Sequence, residues 1–315
     1  MSGIPANENK KFADEVMLIR DELERIDEET FLHGEVTPVF FGSALNNFGV
    51  DLFLKQFAHW AQMPQPYTTQ NGKVREMGKD FSGFIFKLQA NMNPDHRDCA
   101  AFVRVTSGRF ERGKKVTHSR SGKTVRLSTP HTLMGDERDI LEEAYPGDVI
   151  ALFNPGEFQI GDTLYSDDAV EFNVIPLFSP EHFLKVSTKE PFKRKQLRQG
   201  LQQLSEEGVV HVFEVPNGVG NELLLGTVGI LQFDVVKHRM KTEYGVELNT
   251  TPVNYSAARW LPDNPGVREK LKSAYFTHVT RDLDNNPIAL FESQYALNKT
   301  EEIVGAEYLF KYKQH

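Results

Sequence analysis

Hydrophobic and polar residues alternate along residues 81–129, and this pattern organises the rest of the chain. Phe84, Phe86 and Leu88 alternate with Ile85, Lys87 and Gln89, and Val103 and Val105 alternate with Phe102, Arg104 and Thr106. A period of two predicts strands that bury one face. Gly108 and Gly113 follow them at positions where a turn needs positive φ. Short strands at this spacing predict a small closed barrel at about residues 78–175.

From residue 181 onward, strand and helix patterns take turns. The order β-α-β-β-α-β predicts a ferredoxin-like unit, with strands at 182–187, 209–214, 222–229 and 246–254 and helices at 191–208 and 231–245. We also expect a helix at 267–276, a strand near Pro287–Phe291 and a basic, aromatic tail.

The N-terminal residues have a different pattern. Apolar residues at spacings of three and four predict helices at 10–28 and 51–61, and VTPVFF (36–41) reads as an apolar strand. On the second helix, Leu52, Phe53, Phe57 and Trp60 are expected to face inward. A connector rich in proline and glycine follows at 63–73. We therefore expect three domains, at 1–62, 63–175 and 176–315, in a multidomain α+β fold.

Composition excludes several classes of protein. A net charge of −8 argues against a chain held to nucleic acid by bulk charge, although local basic patches remain possible partners for phosphate. Cys99 is the single cysteine, so no internal disulfide forms, and we interpret it as a small strand residue. No apolar run reaches the ~20 residues of a membrane helix. We expect a cytoplasmic protein with neither a membrane nor a DNA partner.

Nucleotide-binding and metal-binding motifs are missing. The phosphate cradle G-x-x-x-x-G-K-[ST] has two near matches, Gly108–Lys114 and Ser121–Thr124, and each lies between predicted strands instead of opening a helix. We interpret both as hairpin turns. The sequence also lacks metal-ligand spacing, and His96 and His211 are expected to be hydrogen-bonded structural residues. The acidic pairs Glu142-Glu143 and Glu206-Glu207 are interpreted as solvated surface.

Two basic clusters are the candidate binding surfaces. The first lies on predicted hairpins and contains Arg109, Arg112, Lys114, Lys115, Arg120, Lys123 and Arg126. The second surrounds the start of the predicted helix at 191–208 and contains Lys185, Lys189, Lys193, Arg194, Lys195 and Arg198. A solvated face is the alternative interpretation of each cluster. Strand alternation also means that only part of the first cluster can share one face.

Several stretches resemble a known family. QANMNPDHRD (89–98), FVRVTSGRFERGKKV (102–116), AYPGDVIAL (144–152) and IGDTL (160–164) resemble the second-domain barrel of translational GTPases. The first stretch is most similar to the bacterial peptide chain release factor three family. GILQFDVVKHRMKTEYGVEL (229–248) resembles the third domain of the same proteins. The resemblance implies the end of an α/β G domain, an all-β barrel, and a ferredoxin-like α/β domain with a C-terminal extension.

The resemblance also implies a function. Ser43, Ala44 and Leu45 would form the loop that contacts the guanine base, and the complete protein would use GTP or GDP with magnesium. Its partners would be the ribosome, through small-subunit rRNA and protein, and codon-specific release factors that it recycles. The ribosome-contact candidates are Arg109, Arg112, Lys114, Lys115, Arg120, Lys123, Lys193, Arg194 and Arg198. Without a phosphate cradle, this chain alone is expected to be inactive as a GTPase.

Three alternatives remain open. The chain could be a stand-alone RNA- or protein-binding module, a portion of a protein like elongation factor G or a ribosomal protection protein, or a shortened product with no independent role. For residues 1–62 we expect a small helical cap, pairing with a second molecule, or poor order. The reason is that a strand at 36–41 has no evident partner in this sequence.

Overall fold

The computed structural model describes residues 10–22, 27–91, 99–127, 130–134, 137–154, 156–172, 178–216, 222–272, 274 and 277–311. Backbone contacts divide the chain into unit 1, Met1–Pro64, and unit 2, Gln65–His315. The predicted division into three domains, at 1–62, 63–175 and 176–315, stays a prediction.

Unit 1 is helical. Its helices are α1 (Lys10–Glu22), α2 (Glu28–Leu32) and α3 (Val50–Trp60). Asp27 caps α2 by accepting a hydrogen bond of 2.8 Å from the Thr30 N–H, which satisfies a free donor of the first turn. The predicted helix at 51–61 is confirmed, and the one at 10–28 is confirmed over 10–22. Residues 23–26 lie outside the described residues, and Asp27 caps a separate helix, α2.

Two predictions for unit 1 are wrong. Residues 36–41 are not a strand, because no described segment pairs with them, and an isolated strand leaves its backbone groups without partners. The apolar side of α3 is not buried either. Leu52 and Phe57 are 61% and 59% exposed, and no residue of α3 is buried within the part of the chain that the structure describes.

The first part of unit 2 is built from strands. They are β1 (Tyr67–Thr68), β2 (Val74–Arg75), β3 (Ser82–Ala90), β4 (Cys99–Ser107), β5 (Phe110–Glu111), β6 (Lys115–His118), β7 (Thr124–Arg126), β8 (His131–Met134), β9 (Glu137–Ile140), β10 (Glu143–Ala144), β11 (Val149–Phe153) and β12 (Thr163–Tyr165). Eight of them form one antiparallel sheet in the order β7-β6-β12-β3-β4-β11-β8-β9. The inward side chains, among them Phe81, Ile85, Val103 and Ile150, form a buried hydrophobic core.

The predicted closed barrel is corrected to a half-barrel. Closure requires hydrogen bonds between the two edge strands, and β7 and β9 are not paired within the described residues. Instead, β5 pairs with β10 as a separate two-stranded ladder. At Gly108, φ is +65°, and a Cβ would lie 2.4 Å from the Phe81 nitrogen, so the turn after β4 requires glycine.

The second part of unit 2 follows the predicted order. Its elements are β13 (His182–Thr188), α4 (Arg194–Glu206), β14 (His211–Glu214), β15 (Leu223–Thr227), α5 (Gln232–Thr242) and β16 (Leu248–Pro252). The strands form an antiparallel sheet in the order β14-β15-β13-β16. Helices α4 and α5 approach closely at Gly200, where a Cβ would lie 2.8 Å from Met240 Sδ.

The last part contains elements that the sequence patterns only partly indicated. They are β17 (Ala257–Trp260), α6 (Pro265–Leu271), β18 (Thr277–Arg281), β19 (Pro287–Phe291) and α7 (Gln294–Val304). The three strands form a sheet in the order β17-β19-β18. The predicted strand at Pro287–Phe291 is confirmed, and the predicted helix is shorter than expected. Helix α7, β17 and β18 were not predicted.

His211, on β14, makes the contacts expected of a structural histidine. The other histidine of that prediction, His96, lies outside the described residues. The Nε2–H of His211 donates to the Phe178 carbonyl at 3.0 Å. The His211 ring stacks on Phe213 at a centroid distance of 6.1 Å and lies edge-on to Trp260 at 5.3 Å. Burial lowers the pKa of His211, although the bond to Phe178 and the charge of Asp282 oppose this shift. The folded state therefore favours the neutral ring.

This environment predicts a pH dependence of stability. As the pH falls below the unfolded-state pKa of about 6.5, the unfolded chain binds a proton at His211 that the folded chain resists. The free energy of unfolding should therefore decrease between pH 7 and pH 5 more steeply than in a His211→Gln variant. Urea unfolding at both pH values measures the difference. Equal decreases in the two proteins would contradict a titrating role for His211.

Candidate nucleic-acid interface

The predicted guanine-base loop lies in a tight turn of unit 1. Ser43 and Phe48 form an isolated antiparallel bridge, and Ser43 Oγ accepts a hydrogen bond of 3.4 Å from the Asn46 N–H. Asn47 adopts positive φ, as asparagine tolerates. Ala44 is exposed, and Leu45 is 95% exposed. The role of Ser43, Ala44 and Leu45 in contacting a base stays a prediction.

Both near matches to a phosphate cradle lie among strands and turns and open no helix, which agrees with the interpretation from the sequence. Gly108–Lys114 runs through β5 into β6, and Ser121–Thr124 is the turn that joins β6 to β7. Gly122 has a φ of +65° and donates its N–H to the His118 carbonyl at 2.9 Å. No helix begins at either segment, so neither directs a helix N-terminus at a phosphate.

Acidic residues neutralise one end of the first basic cluster. Arg109 forms ion pairs with Glu111 and Glu143, and Arg112 Nη1 lies 2.8 Å from Glu142 Oε1. The strand pairing brings these charges together, because Glu111 lies opposite Glu143 in the β5–β10 ladder. Glu142 and Glu143 are thus partners of the basic cluster. The Lys114 ammonium donates to the Arg109 carbonyl at 3.1 Å and lies over the Phe81 ring.

The other end of the cluster is a basic edge, which we define as Lys115, Lys123 and Arg126 on the β6–β7 hairpin. All three side chains are exposed, and none has an ion pair within the described residues. Lys115 lies directly opposite Arg126 in the ladder. Like charges at directly opposite positions destabilise a sheet, and a bound anion would offset this repulsion. The pair is therefore a candidate site for an anion.

Arg120 anchors this hairpin. Its guanidinium donates to Asp162 at 2.7 and 2.9 Å and to the Glu157 carbonyl at 2.8 Å. His118 Nε2 lies 2.8 Å from the same carboxylate. Burial alone would raise the pKa of Asp162, but hydrogen bonds from Arg120, the Gln159 N–H and His118 outweigh it and lower that pKa. Arg120 therefore fixes the position of the basic edge, and its role as a ribosome contact stays a prediction.

The second basic cluster is also partly paired. Lys193 Nζ lies 2.8 Å from Glu190 Oε1 and donates to the Gly245 carbonyl at 2.8 Å. Lys185 and Lys189 pair with Glu222 and Glu247, each at 3.2 Å. Three further cations along the first turns of α4 are exposed, namely Arg194, Lys195 and Arg198, and of these Arg194 also has an interaction partner.

Glu207 is a structural residue whose role sequence reasoning missed. It was interpreted as solvated surface, but its side chain is only 5% exposed. Its carboxylate accepts the Ala90 N–H at 2.8 Å and the Arg239 guanidinium at 2.5 and 3.2 Å. Because Ala90 ends β3 and Arg239 lies on α5, Glu207 connects the half-barrel to both helices of the α/β part. We call these contacts the Glu207 joint.

Neighbouring groups extend the Glu207 joint. Arg239 also binds Glu243, and burial, which would lower the pKa of Arg239, is outweighed by hydrogen bonds to Glu243 and Glu207 that raise it. Asn91 Nδ2 donates to Tyr244 Oη at 2.8 Å. Cys99 lies opposite Ala90, and burial, together with the charges of Glu207 and Glu206, raises its pKa to about 11. A raised pKa keeps a thiol protonated and therefore weakly nucleophilic at neutral pH, in agreement with the interpretation of Cys99 as a strand residue.

The described residues contain neither a membrane-spanning helix nor a metal-binding cluster. In the part of the chain that the structure describes, none of the helices combines the length and apolar character needed to cross a bilayer. The same residues contain no group of three or more histidine, cysteine or acidic side chains arranged to hold a metal ion.

Comparison with known proteins places these domains. A family model described as elongation factor G domain 2 matches residues 80–167, and one described as class II release factor RF3, C-terminal domain, matches residues 172–301. The half-barrel and the α/β part that follows it thus define a translation factor.

Curated relatives show which family of translation factors the chain resembles. Peptide chain release factor 3 of Rippkaea orientalis (strain PCC 8801 / RF-1) is 46% identical over 268 residues, which cover 85% of this chain and 50% of the relative. The protein of the same name from Synechocystis sp. (strain ATCC 27184 / PCC 6803 / Kazusa) is 43% identical over 295 residues, covering 94% and 53%. The chain belongs to the peptide chain release factor 3 family. It spans about half the length of the curated relatives that it matches.

Proposed function

We propose that this chain is the ribosome-docking portion of a translation-termination GTPase that promotes the recycling of codon-specific release factors. The observation that carries the proposal is the basic edge. In a chain with a net charge of −8, three exposed cations without ion pairs within the described residues share one hairpin. Such a surface fits the phosphates of ribosomal RNA, which proteins contact mainly through charge and shape. The cytoplasm is where it would act.

In this proposal the half-barrel docks together with the ferredoxin-like α/β part. Arg194 and Arg198, with Lys195, supply a second set of exposed cations on α4. The Glu207 joint supports a fixed arrangement of the two parts, because a buried carboxylate tied to a strand end and to an arginine resists hinge motion. A docking arm with a fixed shape can bind two ribosomal states with different affinities, which is how docking couples to release-factor exchange.

Nucleotide chemistry belongs, in this proposal, to the complete family protein with GTP or GDP and magnesium. This chain contributes only Ser43, Ala44 and Leu45, on the loop that would contact the guanine base. The sequence carries no phosphate cradle before that loop. We therefore expect binding to the ribosome by this chain to be independent of added GTP.

Co-sedimentation with ribosomes stalled at a stop codon tests the proposal. The full chain should pellet with them at about 50 mM salt and should be largely released at about 200 mM, since phosphate contacts release counterions. Added GTP should leave the bound fraction unchanged. Absence of binding at the lower salt concentration would overturn the docking function. A bound fraction that rises with GTP would show that this chain binds the nucleotide itself.

A further inference from the structure

The outer face of the half-barrel carries a row of residues that the basic clusters do not include. Residues directly opposite each other in antiparallel strands share a face. The register therefore places Lys87 of β3, Phe102 of β4, Ala151 of β11 and His131 of β8 side by side. The core lies on the other face, where Ile85 and its neighbours are buried. We call this row and its flanking residues the outer face.

Aromatic rings are concentrated there. Phe86 has no partner on β4, because a bulge lies between Ile85 and Lys87, and its ring lies 6.4 Å from that of Phe102. Phe153, two residues after Ala151 on β11, is 58% exposed. Ala151 is the small residue between these rings. An exposed phenylalanine next to a small residue offers a flat surface on which another ring can stack.

The charge of the outer face is positive. Strands β3, β4 and β11 contain no aspartate or glutamate, although acidic residues outnumber basic ones in the whole chain. Their two charged residues are Lys87 and Arg104. Arg104 is two residues from Phe102 on the same strand and therefore faces the same way. Lys87 Nζ lies 5.2 Å from the Phe102 ring centre, so cation and ring form one surface.

Among the residues that the structure describes, two buried polar atoms of the outer face have no hydrogen-bond partner. They are Arg104 Nε and His131 Nδ1, on strands β4 and β8. Neither side chain forms an ion pair with a described residue. Buried polar groups are almost always satisfied, so these two atoms leave hydrogen-bonding capacity unused beside the outer face.

We propose that the outer face binds unpaired RNA. One or two bases stack on Phe102 and Phe153, while Lys87 and Arg104 contact the phosphates, and His131 hydrogen-bonds a base or ribose. Sheets that present aromatic rings between cations bind single strands in this way, because every base has a ring face to stack. The inference rests on the proposed function and names the chemistry of the partner, which is a single-stranded segment of ribosomal RNA.

Fluorescence anisotropy with a short labelled adenine homopolymer and an RNA duplex of equal charge tests the proposal. The full chain should bind the single strand at least about tenfold more tightly than the duplex at ~50 mM salt. Phe153→Leu should weaken binding about fivefold or more, with an unchanged salt dependence, because stacking involves no counterions. Lys87→Gln combined with Arg104→Gln should instead weaken binding and reduce the slope of log K against log salt by about 1.4.

Controls separate stacking from charge and from misfolding. Phe153 is largely exposed, so its variant should unfold at the temperature of the unaltered chain. An acidic peptide of the same charge should not displace the RNA. Equal affinity for single strand and duplex, displacement by the peptide, or unchanged binding by Phe153→Leu would each overturn the inference. If the chain binds the single strand but does not pellet with ribosomes, the docking function is refuted and RNA binding by the outer face is supported. If the chain pellets with ribosomes but does not bind the single strand, only RNA binding by the outer face is refuted.

Discussion

Replacing Glu207 with alanine is expected to lower the free energy of unfolding of unit 2 by about 3 kcal/mol, because it breaks a buried ion pair. The variant leaves the Ala90 N–H without its acceptor and removes one of the two carboxylates that bind Arg239. Arg239 keeps Glu243, which is why the expected loss lies at the lower end for a broken buried ion pair. Urea unfolding followed by circular dichroism measures it.

Glu206 provides a matched control. It is adjacent to Glu207 in sequence and, like Glu207, raises the pKa of Cys99 through its charge. Within the described residues, however, its side chain accepts a hydrogen bond from Gln202 alone, at 3.1 Å. Glu206→Ala should therefore change stability by less than about 0.5 kcal/mol. Alkylation of Cys99, the single cysteine, should be faster in both variants, because each removes a negative charge that raises the pKa of the thiol. The increase should be much larger in Glu207→Ala, because loss of the Glu207 joint also exposes the thiol. Equal stability losses in the two variants would contradict the joint.

The elements predicted best are those with a strong period. The alternation at 84–89 and 102–106 became β3 and β4, because their apolar side chains have a core to enter. The order of elements from 182 to 252 was also predicted, since strands and helices there are long and separated by glycine or proline. In both regions, local pattern and tertiary packing agree, which is the condition under which sequence reasoning succeeds.

Prediction failed where structure depends on a partner. Val36–Phe41 has the composition of a strand, but a strand exists only when another pairs with it, and Phe41 is 85% exposed instead. Helix α7 did carry a usable signal. Ala296, Leu297, Thr300 and Val304 are its buried residues, at spacings close to one helical turn, and Ser293 caps it by accepting the Ala296 N–H at 3.2 Å.

The candidate site was only partly predictable, because sequence shows which charges are present but not which are opposite each other. Arg109 and Lys115 look equivalent in the chain, yet strand pairing gives Arg109 an acidic neighbour and Lys115 a basic one. Glu207 was misread for the same reason. Two carboxylates at the end of a helix oppose its dipole, and only the approach of Ala90 and Arg239 explains why one of them is there.

This difference between paired and unpaired cations predicts a large effect on ribosome binding. Replacing the basic edge, Lys115, Lys123 and Arg126, with glutamine should lower the affinity for ribosomes by about 100-fold or more at ~100 mM salt, and should reduce the salt slope by about 2 to 3. Removing the like-charged pair should leave stability unchanged or slightly higher. Ribosome pelleting across a salt series measures both the affinity and the slope.

The control for the basic edge comes from the same cluster. Arg109→Gln combined with Arg112→Gln also removes positive charge, but these side chains are already bound to Glu143 and Glu142. Because a cation in an ion pair displaces few counterions when RNA approaches, this variant should lose less than about fivefold in affinity. If the two sets of substitutions weaken ribosome binding equally, net charge and not the unpaired hairpin edge directs docking. A loss confined to the basic edge, with the slope reduced as stated, fixes the phosphate contacts on β6 and β7.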